Sequence, residues 1–140
     1  MERWSDVVDE LKPLLPLQWK DLALDQDSIK LDVDFERYKQ LDAAGVLLLT
    51  TARQDGILVG WYLNILMMHP HYRTTKFAML DAYYLIPRYR RAANGLGLFT
   101  AMERHAKEAG AVEMVSITKC HADVSPLFDR LGWKFDFYFK

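Results

Sequence analysis

Apolar residues recur at helical spacing in the first third of the chain and at strand spacing in the middle. Val7, Val8 and Leu11 follow Ser5, a residue suited to cap a helix, and predict a helix there. Pro13 and Pro16 interrupt the pattern, which Leu17, Trp19, Leu22 and Leu24 resume. The polar run Asp25-Gln26-Asp27-Ser28 reads as a loop. Asp34 is placed to cap a further helix through Phe35, Tyr38 and Leu41, ended by Gly45.

The period then changes. Val46 to Thr51 is β-rich, Gln54-Asp55-Gly56 is a turn signal, and Ile57 to Met68 is a long apolar run. Together they predict an antiparallel hairpin, with Gly60 a candidate bulge. A polar loop is expected over His71 to Lys76, then a third strand from Phe77 to Ile86, stopped by Pro87. Gly95 to Ala109 reads as an amphipathic helix with Leu98, Ala101, Met102, Ala106 and Ala109 on its apolar face and Gly110 beyond its end. His105 falls on or beside that face and reads as a core histidine. Met114 to Lys119 predicts a strand, Ser125 to Leu131 a helix, and Lys134 to Phe139 a final strand in which Phe135, Phe137 and Phe139 alternate. Strand, helix and strand in that order predict a right-handed βαβ crossover.

Composition sharpens this picture. With 140 residues, 51% of them hydrophobic and 26% charged, residues 1–140 make a single packed domain. The net charge of −1 argues against a nucleic-acid partner. It is unevenly spread: residues 1–45 carry eleven acidic and six basic side chains, residues 46–140 eight and twelve. The two halves either serve ligands of opposite charge or merely scatter surface charge. The lone Cys120 and the absence of a signal peptide or membrane span suggest a cytoplasmic protein, and no membrane partner is expected.

The most informative segment runs from Tyr84 to Leu98. A strand ends, Arg88, Arg90 and Arg91 follow, and Gly95-Leu96-Gly97 opens a helix. Close backbone approach, free amides at a helix start and the helix dipole all suit a phosphate diester. The segment lacks the Gly-Lys-Ser/Thr of a Walker loop, and Thr100 breaks the dinucleotide fingerprint.

Strand, Pro-x-Tyr-Arg, Gly-x-Gly, helix, strand, then Leu127-Phe128-Asp129-Arg130-Leu131-Gly132-Trp133 resembles the GNAT superfamily of N-acetyltransferases, in particular small members encoded in phage genomes. The resemblance covers about residues 45–135. It implies an α/β (α+β) domain with a mixed, mostly antiparallel central sheet flanked by helices and a βαβ unit in the C-terminal half. It also implies acetyl-CoA as cosubstrate. Backbone groups around Leu85 and Ile86 would align the pantetheine, and Arg90, Arg91, Asn94, Gly95, Leu96, Gly97 and Leu98 would hold the pyrophosphate. The acceptor would be an amine on a small molecule or a protein. Two residues depart from the family pattern: Ala92 stands where Arg or Gln is usual, and Phe128 where a tyrosine protonates the departing thiolate. They favour an alternative, a catalytically weak member that acts by binding a partner protein.

Asp81 lies in an otherwise apolar strand, where desolvation would raise its pKa and suit it as a general base; the bland alternative is a structural carboxylate. By alternation it shares a strand face with Tyr83, the second catalytic candidate. His121, just past the fifth strand, is a candidate cofactor contact or proton relay. His69 and His71 are too few for a zinc site, so no metal is expected. The tryptophans Trp4, Trp19, Trp61 and Trp133 read as core. The aromatics of the final strand would allow a homodimer.

Overall fold

The computed structural model describes residues 1–135. Three helices come first: α1 (Trp4–Leu11), α2 (Leu15–Leu22) and α3 (Phe35–Ala43). Strands β1 (Leu47–Gln54), β2 (Ile57–His69) and β3 (Tyr72–Leu85) follow. A single 3-10 turn over Pro87–Tyr89 leads into α4 (Ala92–Glu108), then β4 (Glu113–Val115) and α5 (Ser125–Arg130). The sheet order is β1-β2-β3-β4, antiparallel except for the parallel pair β3–β4.

Local chemistry accounts for the elements. Asp34 caps α3, its carboxylate accepting from the Arg37 amide at 2.8 Å. Pro16 sits in the first turn of α2, where its missing N–H costs nothing. Asp55 and Gly56 both have positive φ, 51° and 81°, which suits the tight turn between β1 and β2. Beside Gly60 the β1–β2 register shifts, as expected for a bulge.

Alternation sends the sheet's side chains into two cores. Leu47, Leu49, Trp61, Leu63 and Tyr84 pack with Trp4, Val7 and Leu11 of α1. On the opposite face Leu48, Tyr62, Leu66 and Ala78 meet Leu98, Phe99, Met102 and Ala106 of α4. His105 is buried on that face, and its Nδ1 lies 2.8 Å from the Thr50 hydroxyl. It is the core histidine the helical pattern predicts.

Several boundaries move. The first helix starts at Trp4, so Ser5 lies inside it. Of the loop expected at His71–Lys76, Tyr72 to Lys76 belong to β3, because β2 and β3 form one long hairpin whose exposed arm tolerates polar residues. The helix expected from Gly95 begins at Ala92. The strand expected over Met114–Lys119 is paired only from Glu113 to Val115. A parallel crossover is observed in β3–α4–β4; the one the sequence implies, from Met114 to Phe139, ends outside the described residues. Of the predicted last strand, Lys134 and Phe135 are not in a strand, and 136–139 lie outside the described residues.

Candidate active site

The site begins where the sheet comes apart. β4 pairs with β3 at Phe77, Ala78 and Met79 only, and beyond that the two chains diverge. The diverging part of β3 also holds a bulge: Ala82 faces Leu63 and Leu80 faces Asn64, which leaves Asp81 as the extra residue. A bulge shifts the strand's parity. Leu80 and Tyr83 therefore share the α4 face, whereas Asp81 turns toward the N-terminal helices, where the Tyr38 hydroxyl donates to its carboxylate at 2.5 Å. This corrects two expectations from alternation. Asp81 and Tyr83 do not share a face, and Asp81 is exposed rather than desolvated. Burial and the neighbouring carboxylate push the Tyr38 phenol well above its ordinary value.

Two cavities open at the divergence. The larger, about 390 Å³, lies between the end of β3, the start of α4 and the start of α5. Tyr84, Leu85, Arg90, Arg91, Gly95 and Leu98 line it. Arg91 stands at the N-cap of α4, so the Ala92 and Ala93 amides precede any intrahelical acceptor. Arg90 is committed elsewhere: its Nε donates to the Leu85 carbonyl at 2.7 Å and its guanidinium pairs with Asp21 of α2 at 3.0 Å. The same Asp21 oxygen accepts from the Tyr84 hydroxyl, and burial with that carboxylate raises the Tyr84 pKa to about 12. Asn94 is turned back, donating to the Tyr89 carbonyl at 2.9 Å.

The smaller cavity, about 230 Å³, lies on the other side of the same gap. Trp19, Leu22, Leu31, Leu80 and Ile117 form its walls, with Asp81 and Lys119 at hand. Leu22 and Tyr83 line both cavities and so form the partition between them. The Tyr83 carbonyl accepts from Gln18 at 3.3 Å, which places this strand edge against α2. A strand residue's N–H and C=O leave on the same edge, so the Tyr83 and Leu85 amides face the gap as well.

Tyr83 belongs to an aromatic cluster. Its ring stacks on Tyr62 at 5.5 Å and meets Phe99 edge-on at 5.6 Å. Phe99 in turn meets Phe128 at 5.2 Å, and Phe128 contacts Trp133 at 4.9 Å. Tyr83 thus places a hydroxyl in the cluster that holds Phe128, which has none. Burial raises its pKa, partly offset by the Thr118 hydroxyl, so it stays protonated near neutrality.

Of the predicted cofactor residues, the structure gathers Leu85, Arg90, Arg91, Gly95 and Leu98 around the larger cavity. Ile86 packs into the α1-side core, and Asn94, Leu96 and Gly97 do not line the cavity. A Cβ on Gly95 would sit 3.0 Å from Leu127, so this glycine brings α4 and α5 together, whereas Gly97 borders open space. His121 is exposed on the turn before the lining residues Ala122 and Asp123. Asp123 accepts from the Ser125 amide and hydroxyl, which holds its carboxyl below the usual range. Trp19, read as core, is a half-buried cavity wall. Its position one turn before Leu22 was the available signal for its role. Among the described residues, no three His, Cys, Asp or Glu side chains are gathered as a metal site, and no helix is long and apolar enough to cross a membrane.

The acidic N-terminal third does not converge on the smaller cavity. Glu2 and Glu10 clasp Arg53, Asp42 receives Arg3, and Asp21 receives Arg90. This favours scattered surface charge over an acidic acceptor patch.

The model of the acetyltransferase (GNAT) family matches residues 4–133. No curated protein gives a significant match. Among solved structures, a ribosomal-protein-alanine N-acetyltransferase from Brucella melitensis biovar Abortus 2308 is 18% identical, with 96% of this chain and 91% of that one covered and a TM-score of 0.69. The aminoglycoside acetyltransferase AAC(6')-Iy, in complex with the bisubstrate analogue CoA-S-monomethyl-acetylneamine, is 18% identical, covering 96% and 92% at a TM-score of 0.68. Glucosamine-6-phosphate N-acetyltransferase from Arabidopsis thaliana is 10% identical, covering 95% and 90% at 0.70.

Proposed function

The chain belongs to the acetyltransferase (GNAT) family, whose cosubstrate is acetyl-CoA, and from that premise we propose that it transfers acetyl to a primary amine by direct attack in a ternary complex. The observation that carries this reading is the pair of cavities meeting at Leu22 and Tyr83. One cavity takes the donor, the other the acceptor, and the reacting groups meet at the partition.

The larger cavity fits the donor. Arg91 and the Ala92 and Ala93 amides supply charge and donors to a pyrophosphate. The Tyr83 and Leu85 amides face the gap and suit the amides of a pantetheine arm. Leu98, Phe99 and Leu127 keep water from the thioester. When bound, acetyl-CoA supplies the carbonyl carbon that the amine attacks, so a C–N bond forms and the C–S bond breaks. Asp81 holds the acceptor's ammonium and takes the proton it must lose. Tyr83 gives its proton to the departing sulfur, the role for which Phe128 has no hydroxyl, and the second proton lost by the acylated nitrogen restores the phenol.

The test is release of free CoA thiol with a panel of amines. The Tyr83→Phe variant should lose about 100-fold in kcat with its acetyl-CoA KM little changed. An unaltered kcat would remove Tyr83 as the acid. Acetyl-CoA binding without thiol release from any amine would favour the second reading, suggested by Phe128, of a member that acts by binding a partner protein.

A further inference from the structure

We infer that the acceptor is a singly charged amine on an apolar body, an arylalkyl or branched alkyl amine, and not a polycation. This rests on the smaller cavity being the acceptor site. Its walls are apolar: Trp19, Leu22, Leu31, Leu80 and Ile117. Leu31 and Ile117 stay 38% and 48% exposed, so apolar surface reaches solvent here beside the exposed Asp81. An apolar cavity of roughly 150 Å³ takes a benzene ring, so the volume of about 230 Å³ leaves room for a short aminoalkyl arm.

Charge sets the limit on the ligand. Asp81 is the one carboxylate among the lining residues, and Lys119 the one cation. A single ammonium is matched by Asp81. A second would meet Lys119, the neutral Gln18 amide or an apolar wall, none of which offers a compensating charge. The other acids of the N-terminal third do not compensate. Asp21, nearest in sequence to the wall residue Leu22, is held by Arg90 and Tyr84 on the far side of the partition. Asp25, Asp27 and Asp32 are on the loop that carries Leu31, yet none lines the cavity.

The experiment compares phenethylamine and isoamylamine with spermidine and neamine in the thiol-release assay. Phenethylamine should exceed both polycations at least about tenfold in kcat/KM. A Leu31→Glu variant should move that ratio about tenfold toward spermidine, while the rise in melting temperature on adding acetyl-CoA stays as in the parent. A polycation equal to or better than phenethylamine overturns the inference, as does an unmoved ratio in Leu31→Glu. If no amine is turned over, the proposed activity fails, and binding decides the inference separately. Saturation transfer from CoA-loaded protein to phenethylamine, weakened in Leu31→Glu, would support the inference. Absence of that transfer would overturn it.

Discussion

The two edges of β3 meet opposite fates. Toward β2 the strand is paired from Lys76 to Leu85, with the bulge at Asp81 the only interruption. Toward β4 it is paired at three residues and then released. On the first edge backbone groups satisfy one another and large rings such as Trp61 and Tyr84 are buried side by side, 5.3 Å apart. On the second they are left to side chains, namely Gln18 at Tyr83 and Arg90 at Leu85, and the space between becomes a cavity. One strand is scaffold on one side and, in the function proposed here, binding surface on the other. Rigidity from the paired edge fixes the groups that the free edge presents.

The largest effect should come from breaking the paired edge. A Cβ on Gly60 would lie 2.7 Å from the Tyr84 carbonyl oxygen, so Gly60→Val must push the strands apart. A loss of about 3 kcal/mol is expected, read from urea unfolding. A variant as stable as the parent would mean that this edge yields easily.

The free edge is sharpened by separating its two arginines. Arg91 has no commitment to Asp21, whereas Arg90 does. Arg91→Ala should weaken acetyl-CoA binding about tenfold by calorimetry, and Arg90→Ala should weaken it less while lowering the melting temperature. The reverse order would place the anion on Arg90.

A smaller effect tests the cost carried beneath the bulge. Asn64 is buried opposite Leu80, and neither its amide nitrogen nor its oxygen has a hydrogen-bond partner among the described residues. Asn64→Leu keeps the branched shape and removes the desolvated amide, so it should stabilise by about 1 kcal/mol. A fall in the urea midpoint would mean that the amide is satisfied after all.

The smallest effect is titration far from the gap. Burial and the nearby N-terminal amine hold His105 below its ordinary value of 6.5. The unfolded chain therefore takes up the proton first, and stability is fully present above that value and lost as pH falls through it toward the lowered one. Melting temperature followed between about pH 5 and pH 8 should fall on the acid side, with a shallower fall in His105→Gln. Equal slopes would exclude His105.

What was legible in the sequence is local. The Asp55-Gly56 turn, the Asp34 cap and the α4 face with His105 all depend on neighbours within a few residues. The arginine-rich loop before Gly95 was equally plain. The bulge at Asp81 was not, because an apolar run with one carboxylate reads as regular alternation until the partner strand imposes its register. Nor was the commitment of Arg90, since Asp21 lies 69 residues away. The gap itself has no sequence signature. Ser116 to Lys119 look as β-prone as Met114 and Val115, and only the packing of α5 against α4 through Gly95 and Leu127 accompanies their departure from the sheet.

The opposite margin of the sheet carries a consequence of its own. Among the described residues β1 has a strand neighbour on one side alone, the kind of open border that recruits other chains into aggregates. Here the Glu2 amide bonds to the Leu49 carbonyl at 3.0 Å, and the Glu2 carboxylate is clasped by Arg53. A short stretch of chain thus acts as a stopper, placing a charged residue over the middle of that border. At that point the template for a foreign strand is interrupted within the molecule.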